Sequence, residues 1–366
     1  MPTNTILIIL GTRPEAIKLA PVITALGDRA TVVQTGQHRD LTAPILTAFG
    51  ITTDHDLDIM LPDQTPSGVV ARTLERLDPL LAEGRYQRIV VQGDTSSALA
   101  AALAGFHRRI PVAHVEAGLR SGRIDDPFPE EMNRRLITQI ADIHFAPTEL
   151  NRENLLREGL DPSRIVVVGN TVIDALHHII ESDAPIDDAL QRVLDHLNGR
   201  KLILLTTHRR ENFGERHRGI FEAVADIIAR HDDVEVLFPV HPNPNVRAAI
   251  ERHLPSHPRL HLIDPLDYIS FVHAMKRSWL ILTDSGGVQE EAPALGVPVL
   301  VLRETTERPE GIDAGNALLV GTGRSSIIDA VDELYADELT YARMAEAGYP
   351  YGGRGAGERI AVLLRG

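Results

Sequence analysis

The chain has 366 residues, 43% apolar and 24% charged, an ordinary composition for a soluble globular protein and enough length for two hydrophobic cores. It contains no cysteine, which excludes disulfides, a thiolate nucleophile and any Cys-based metal site. A net charge of −14 argues against nonspecific nucleic-acid binding and requires an anionic substrate to meet a local basic cluster.

No apolar run approaches the length of a membrane span, and the first apolar run, residues 6–10, is too short for a signal peptide. A cytoplasmic protein is expected. Residues 4–10 read as a buried strand, and Gly11-Thr12-Arg13-Pro14-Glu15 turns from it into a helix reaching about residue 25. Pro14 suits the first helical position, where a missing N–H costs nothing. Arg13 and Lys18 bracket the helix start, where free N–H groups and the dipole favour a phosphate. A solvated Arg and Lys would look the same.

A second strand at 31–34 ends in Thr35-Gly36-Gln37-His38-Arg39. Apolar spacing predicts a helix over 62–82. Strand 88–92 ends in Gly93-Asp94-Thr95-Ser96, followed by an Ala-rich helix to about residue 106. Asp94 could cap that helix or serve a site at the strand's carboxyl end. Strand 111–115 places Glu116 at the same edge, and a Gly- and charge-rich loop leads to a helix starting near Glu130. Glu116 and Glu130 are then two carboxylates offered to one crevice, or a solvated turn residue and a helix-start carboxylate. Strand 143–145, helix 149–158 and strand 165–168 follow, and the alternation implies a parallel, doubly wound sheet. The helix at 171–181, with His177 and His178 expected to be solvated, and the polar stretch 182–188 form the domain connection.

The second half repeats the pattern. Strand 201–206 ends in Thr207-His208-Arg209-Arg210, a local cation cluster, and a helix spans about 218–230. Strand 235–240 ends at His241, strand 260–263 leads into a helix through Phe271, and strand 299–302 ends in a charged run to Arg308. Strand 279–283 ends in Asp284-Ser285-Gly286-Gly287 and opens a helix with Gln289, Glu290 and Glu291. Consecutive glycines before a helix can form an anion-binding concavity, or simply a tight turn. A short helix over about 354–364 follows a Gly-rich linker. Nothing has the ligand spacing of a zinc site.

Taken together, GTRPEAIK at 11–18, GQHR at 36–39, GDT at 93–95, HVEAGLR at 114–120, PEE at 129–131, HRRE at 208–211, TDSGG at 283–287 and TERPE at 306–310 resemble the non-hydrolysing UDP-N-acetylglucosamine 2-epimerases. The match is specific as a set and runs through nearly the whole chain. The resemblance implies an α/β fold of two Rossmann-like domains facing across a cleft, the glycosyltransferase-B architecture. The N-terminal domain would span 1–172, with a C-terminal helix of about 353–366 packing back on it, and the nucleotide-binding domain 173–352. It implies reversible C2 epimerisation of UDP-GlcNAc to UDP-ManNAc through elimination of UDP to 2-acetamidoglucal and re-addition, with no cofactor and no metal, by a homodimer. Such chemistry needs carboxylates near C2 and C3 and cations to hold departing UDP.

By motif, the resemblance names Asp94, Glu116, Glu130 and His208 as the catalytic group, without assigning proton donor and acceptor. It places Arg13 and Lys18 by the phosphates or cleft floor, Ser285, Gly286, Gly287 and Arg308 on the diphosphate, Glu291 on the ribose and Phe271 by the uracil. It suggests Gln37, Arg72, Arg209 and His241 for a second, activating UDP-GlcNAc, with Glu130 shared. Leu266 stands where members often have Gln, and Asp40 where some have another Gln; a carboxylate beside a bound diphosphate is unfavourable. A hydrolysing epimerase releasing ManNAc and UDP, a glycosyltransferase of the same architecture, and a catalytically silent UDP-sugar sensor are the alternatives.

Overall fold

The computed structural model describes residues 5–346 and 348–366, apart from the side chain of Arg210. The chain divides into two compact units, Met1–Ser182 with Tyr351–Gly366, and Asp183–Pro350. Among the described residues no helix is long and apolar enough to cross a membrane.

Unit 1 runs β1 (Thr5–Leu10), α1 (Arg13–Leu26), β2 (Ala30–Gln34), α2 (Arg39–Ala48), β3 (His55–Asp56), α3 (Pro66–Glu83), β4 (Tyr86–Gln92), α4 (Ser96–His107), β5 (Val112–Val115), α5 (Glu130–Ile140), β6 (Ile143–Ala146), α6 (Glu149–Arg157), β7 (Ile165–Val167) and α7 (Thr171–Glu181). Among the described residues its seven strands are parallel and ordered β3-β2-β1-β4-β5-β6-β7. Strand β1 is buried at every position, as expected of a strand with helices on both faces. The chain order reverses between β1 and β4, so the switch point lies beyond their carboxyl ends, where such sheets bind ligands.

Unit 2 runs α8 (Asp188–His196), β8 (Lys201–Thr206), α9 (Glu215–Arg230), β9 (Val234–Pro239), α10 (Pro244–His253), β10 (Leu260–Ile263), α11 (Tyr268–Arg277), β11 (Leu280–Thr283), α12 (Gly286–Glu291), β12 (Val299–Val301), α13 (Pro309–Asp313), β13 (Ala317–Leu319), α14 (Arg324–Ala336) and α15 (Glu338–Ala345). Its six strands, again among the described residues, are also parallel, ordered β10-β9-β8-β11-β12-β13. Here the switch point lies between β8 and β11, whose Thr206 and Thr283 hydroxyls meet at 2.6 Å. Buried aliphatic side chains of α9 and α14, such as Ile220, Val224, Ile327 and Val331, pack with the sheet residues Ile203, Val236 and Leu282.

The C-terminal helix α16 (Ala356–Arg365) packs against α1 and α7 in unit 1. Asp174 of α7 accepts the Gly355 and Gly357 N–H groups at 2.5 and 2.8 Å, and Arg359 Nε donates to the Val168 carbonyl at 2.9 Å. Helix α7 thus belongs to unit 1, which runs beyond residue 172 to 182.

His177 and His178 are not solvated as expected. His178 stacks on Phe49 with centroids 4.1 Å apart, its Nε2 lies 3.1 Å from the Ala48 carbonyl, and Arg354 reaches His177 Nδ1 at 2.5 Å. The structure also adds α2, α8, α10, α13, α14 and α15 to the predicted helices. In α8 the cap is Asp187, accepting from Ala189 and Leu190 N–H, and burial of Leu190 and Val193 supplies the apolar face. The run His241-Pro242-Asn243-Pro244 reads as a loop, yet Asn243 and Pro244 are the N-cap and first residue of α10.

Candidate active site

In unit 1 the expected site residues gather at the carboxyl ends of β1, β4 and β5. Strands β4 and β5 pair in register, Gln92 opposite Val115, so Asp94 and Glu116 follow adjacent strand ends. Glu116 sits in the left-handed region at φ 64°, a conformation that costs a non-glycine residue about 1 kcal/mol or more. Its neighbours hold it there. Lys18 of α1 forms an ion pair with one carboxylate oxygen, and Gln92 donates to the other. Both members of the ion pair are largely buried, at 13% and 12% side-chain exposure, so the pair is poorly screened.

Asp94 is held equally firmly. Arg134 of α5 donates from Nε to its carboxylate at 3.0 Å and also from Nη2, and Asn133 donates to its backbone carbonyl at 2.9 Å. It does not cap α4; Thr95 does, accepting from Ala98 N–H at 3.0 Å. Arg134 is itself fixed by Glu131 at 2.9 Å. Burial pushes the Glu131 carboxyl up, but the Ser121 N–H, the Arg135 hydrogen bond and the Arg134 charge together hold it below the ordinary value. Glu130 opens α5 next to this network and is half-buried.

A fully buried carboxylate, Glu15, ties α1 to the loop after β4. It accepts from the Gly11 and Thr12 N–H groups at 2.8 and 2.6 Å, the Thr12 hydroxyl at 2.9 Å and the Thr95 hydroxyl at 2.7 Å. Burial raises its pKa against those four hydrogen bonds. Arg13, at the first position of α1, is exposed. Of the residues suggested for an activating ligand, Gln37 accepts from Ser97 at 2.7 Å, and Arg72 donates to the Ile59 carbonyl at 3.0 Å and to Gln64 at 2.6 Å.

In unit 2 the expected residues gather at the ends of β8, β11 and β12. Ser285 precedes α12 without capping it through its side chain. Arg308 lies across Gly286, where an added Cβ would come within 2.9 Å of the guanidinium carbon. Arg308 is oriented by Glu290, which accepts from Nε at 2.8 Å, and by Glu307 at 2.8 Å. Glu307 also takes Arg209 at 3.1 Å and Arg303 at 2.7 Å. Burial pushes its carboxyl up, but the Arg308 charge and the Arg303 hydrogen bond win and bring it to about 2. Glu291 accepts from Tyr268 Oη at 3.4 Å, and Phe271 lies one turn further along α11.

His208 is exposed at the end of β8, its ring stacked on His241 with centroids 5.6 Å apart. Its Nδ1 lies 3.3 Å from Asp284, which is completely buried. Residue-type reasoning missed Gln92, Glu15 and Asp284 as positioning groups. A polar residue at the end of an otherwise apolar strand is the signal that points to Gln92 and Asp284; Glu15, inside α1, carries no such signal.

The arrangement offers two carboxylates held at fixed positions in unit 1, and an arginine, a backbone turn and a histidine suited to an anion in unit 2. Comparison with known proteins shows the family. Residues 25–365 match the family model described as UDP-N-acetylglucosamine 2-epimerase. The chain is 48% identical to the UDP-N-acetylglucosamine 2-epimerase of Yersinia pestis over 98% of both chains, and 45% identical to that of Bacillus subtilis over 98% of this chain and 94% of the other. It superposes on the UDP-GlcNAc 2-epimerase of Neisseria meningitidis, whose structure holds UDP-GlcNAc, with a TM-score of 0.88, 40% identity and coverage of 99% and 100%. Two parallel α/β sheets with these strand-end residues, and a family match across almost the whole length, make this chain a member of the UDP-N-acetylglucosamine 2-epimerase family.

Proposed function

We propose that this protein interconverts UDP-GlcNAc and UDP-ManNAc by inverting C2, in the cytoplasm and as a homodimer. The observation that carries the reading is the pair Asp94 and Glu116 on adjacent strand ends, each carboxylate fixed by its own cation, Arg134 and Lys18. The C2 proton of the sugar is weakly acidic, so direct deprotonation and reprotonation is a poor route. Elimination avoids it: a base removes the C2 proton as the C1–O bond breaks, the electron pair leaves with UDP, and C1 and C2 become a double bond in 2-acetamidoglucal. Return of a proton to the opposite face of C2, with UDP oxygen adding back to C1, completes inversion with no net redox change.

In this reading Asp94, Glu116 and Glu130 carry the proton transfers. The Lys18 and Arg134 cations stay in place beside Glu116 and Asp94 while a proton passes to and from the sugar. In unit 2, Arg308, Ser285 and the backbone of Gly286 and Gly287 take the diphosphate, Glu291 the ribose, Phe271 the uracil, and His208 the charge that develops on departing UDP. The Glu307 and Glu290 carboxylates spread the Arg308 guanidinium so that it meets phosphate oxygens without reorganising.

The test is incubation of the pure protein with UDP-GlcNAc in D2O, followed by proton NMR, without added cofactor. UDP-ManNAc carrying deuterium at C2 is the expected product. Free ManNAc with UDP would instead place the protein among hydrolysing epimerases. Binding without product or exchange would leave a transferase or a sensor.

A further inference from the structure

We propose that Asp284 is a positioning residue for His208: it holds the imidazole proton on Nδ1 and leaves Nε2 as the atom open to the ligand. The inference rests on the role given to His208 above and adds which nitrogen acts and what sets it.

Asp284 directly follows β11, and the loop it serves leaves β8, on the other side of the unit 2 switch point. Its two carboxylate oxygens divide the work. One, Oδ2, accepts from Thr207 Oγ1 at 2.9 Å, the backbone N–H groups of His208 and Arg209 at 3.0 Å each, and Asn212 Nδ2 at 2.9 Å. The other, Oδ1, faces His208, 3.2 Å from its backbone nitrogen and 3.3 Å from ring Nδ1. Oδ2 therefore carries four loop bonds, while Oδ1 shares the His208 N–H and faces the ring.

The carboxylate is anionic: burial pushes it up, but His208, the Arg209 N–H and Thr207 bring it to about 2. A carboxylate can only accept, so the imidazole beside it carries a proton on Nδ1. Nε2 is then the nitrogen that takes a second proton and donates it toward the departing phosphate, and Asp284 supplies the counter-charge for the imidazolium so formed. The opposite face of the ring is set by His241, whose own Nδ1 accepts from the Asn243 N–H at 3.2 Å. Burial and the nearby His208 keep His241 below the usual histidine value. His241 is thus a neutral ring that can stack on His208 without competing for its proton.

The division between the oxygens supplies the experiment. In Asp284→Asn the amide oxygen can take the Oδ2 place and keep its four loop bonds, giving up only the 3.2 Å share of the His208 N–H at Oδ1. The amide nitrogen then stands at Oδ1 and donates to Nδ1, which moves the imidazole proton to Nε2. Nitrogen-15 shifts of the His208 ring read this directly, without turnover. The expected result is a Nδ1–H tautomer in the native protein and a Nε2–H tautomer in D284N.

In steady-state kinetics D284N should lower kcat roughly tenfold to a hundredfold, the range typical of partners that orient a functional histidine, with a smaller change in KM. In a His208→Asn background D284N should have little further effect on kcat. A native Nε2–H tautomer, a D284N protein with unchanged tautomer or unchanged kcat, or a full multiplicative loss in the double variant would each overturn the assignment. If the native protein proves not to be an epimerase, the ring spectra still decide whether Asp284 sets the tautomer.

Discussion

His114 and His144 lie opposite one another in register on β5 and β6, both fully buried, with ring centroids 6.5 Å apart. His114 Nε2 meets the Gly93 carbonyl at 2.7 Å, while its Nδ1 and both nitrogens of His144 have no hydrogen-bond partner among the described residues. Burial pulls His114 down from 6.5 to about 4 and His144 to about 3. Below pH 6.5 the unfolded chain takes up these protons and the folded chain does not, so acid favours unfolding. The loss begins near pH 6.5 and for His114 is complete near pH 4, on the order of 3 kcal/mol for that residue. Urea unfolding at pH 7.5 and pH 5 should show this fall in the native protein and a smaller one in His144→Leu. Equal falls would remove His144 from the account. At the diphosphate site proposed in unit 2, Gly286→Ala should displace Arg308, since the new Cβ would meet its guanidinium at 2.9 Å. Loss of a charge-assisted contact predicts a KM for UDP-GlcNAc about tenfold higher in steady-state assays, with little change in the urea midpoint.

At the scale of elements, α16 and α1 pack closely in unit 1. A Cβ on Gly357 would lie 2.8 Å from Pro21 Cβ and 2.9 Å from its carbonyl carbon, so the two helices meet only because that position has no side chain. Gly357→Val should destabilise unit 1 by about 1–3 kcal/mol, seen as an earlier urea midpoint. The alternation of strands and helices was legible because buried parallel strands are short apolar runs that end in polar motifs. Asp94, Glu116, His208 and Arg308 could be named because each sits in such a motif. Their partners could not. Glu15 reaches Thr95 across 80 positions, and Asp284 reaches Thr207 across 77, distances over which only the folded sheet decides who meets whom. Helices α8 and α10 were hidden because their caps, Asp187 and Asn243-Pro244, also read as loop residues. Each switch point is closed by a buried carboxylate: Glu15 takes the N–H groups of its own loop after β1 and the Thr95 hydroxyl after β4, and Asp284 takes N–H and hydroxyl donors from the loop after β8.

For the whole molecule, unit 2 is one continuous segment and unit 1 is two. Residues 183–350 expressed alone should unfold cooperatively in urea, since they hold a six-stranded sheet and its own core. Residues 1–182 alone should melt at lower denaturant than unit 1 in the full chain, because the α1 and α7 surfaces that α16 covers would face water. A midpoint for that fragment equal to the full chain's would show that α16 adds no stability. The same layout has a consequence during translation. The codons for α16 follow those for unit 2, so a ribosome delivers the first unit's final helix only after the whole second unit has been made. At about 5–20 residues per second, the nascent first unit waits on the order of ten seconds with that apolar seam open. A message broken anywhere in that interval yields a chain whose second unit is partly or wholly made and whose first unit is never sealed.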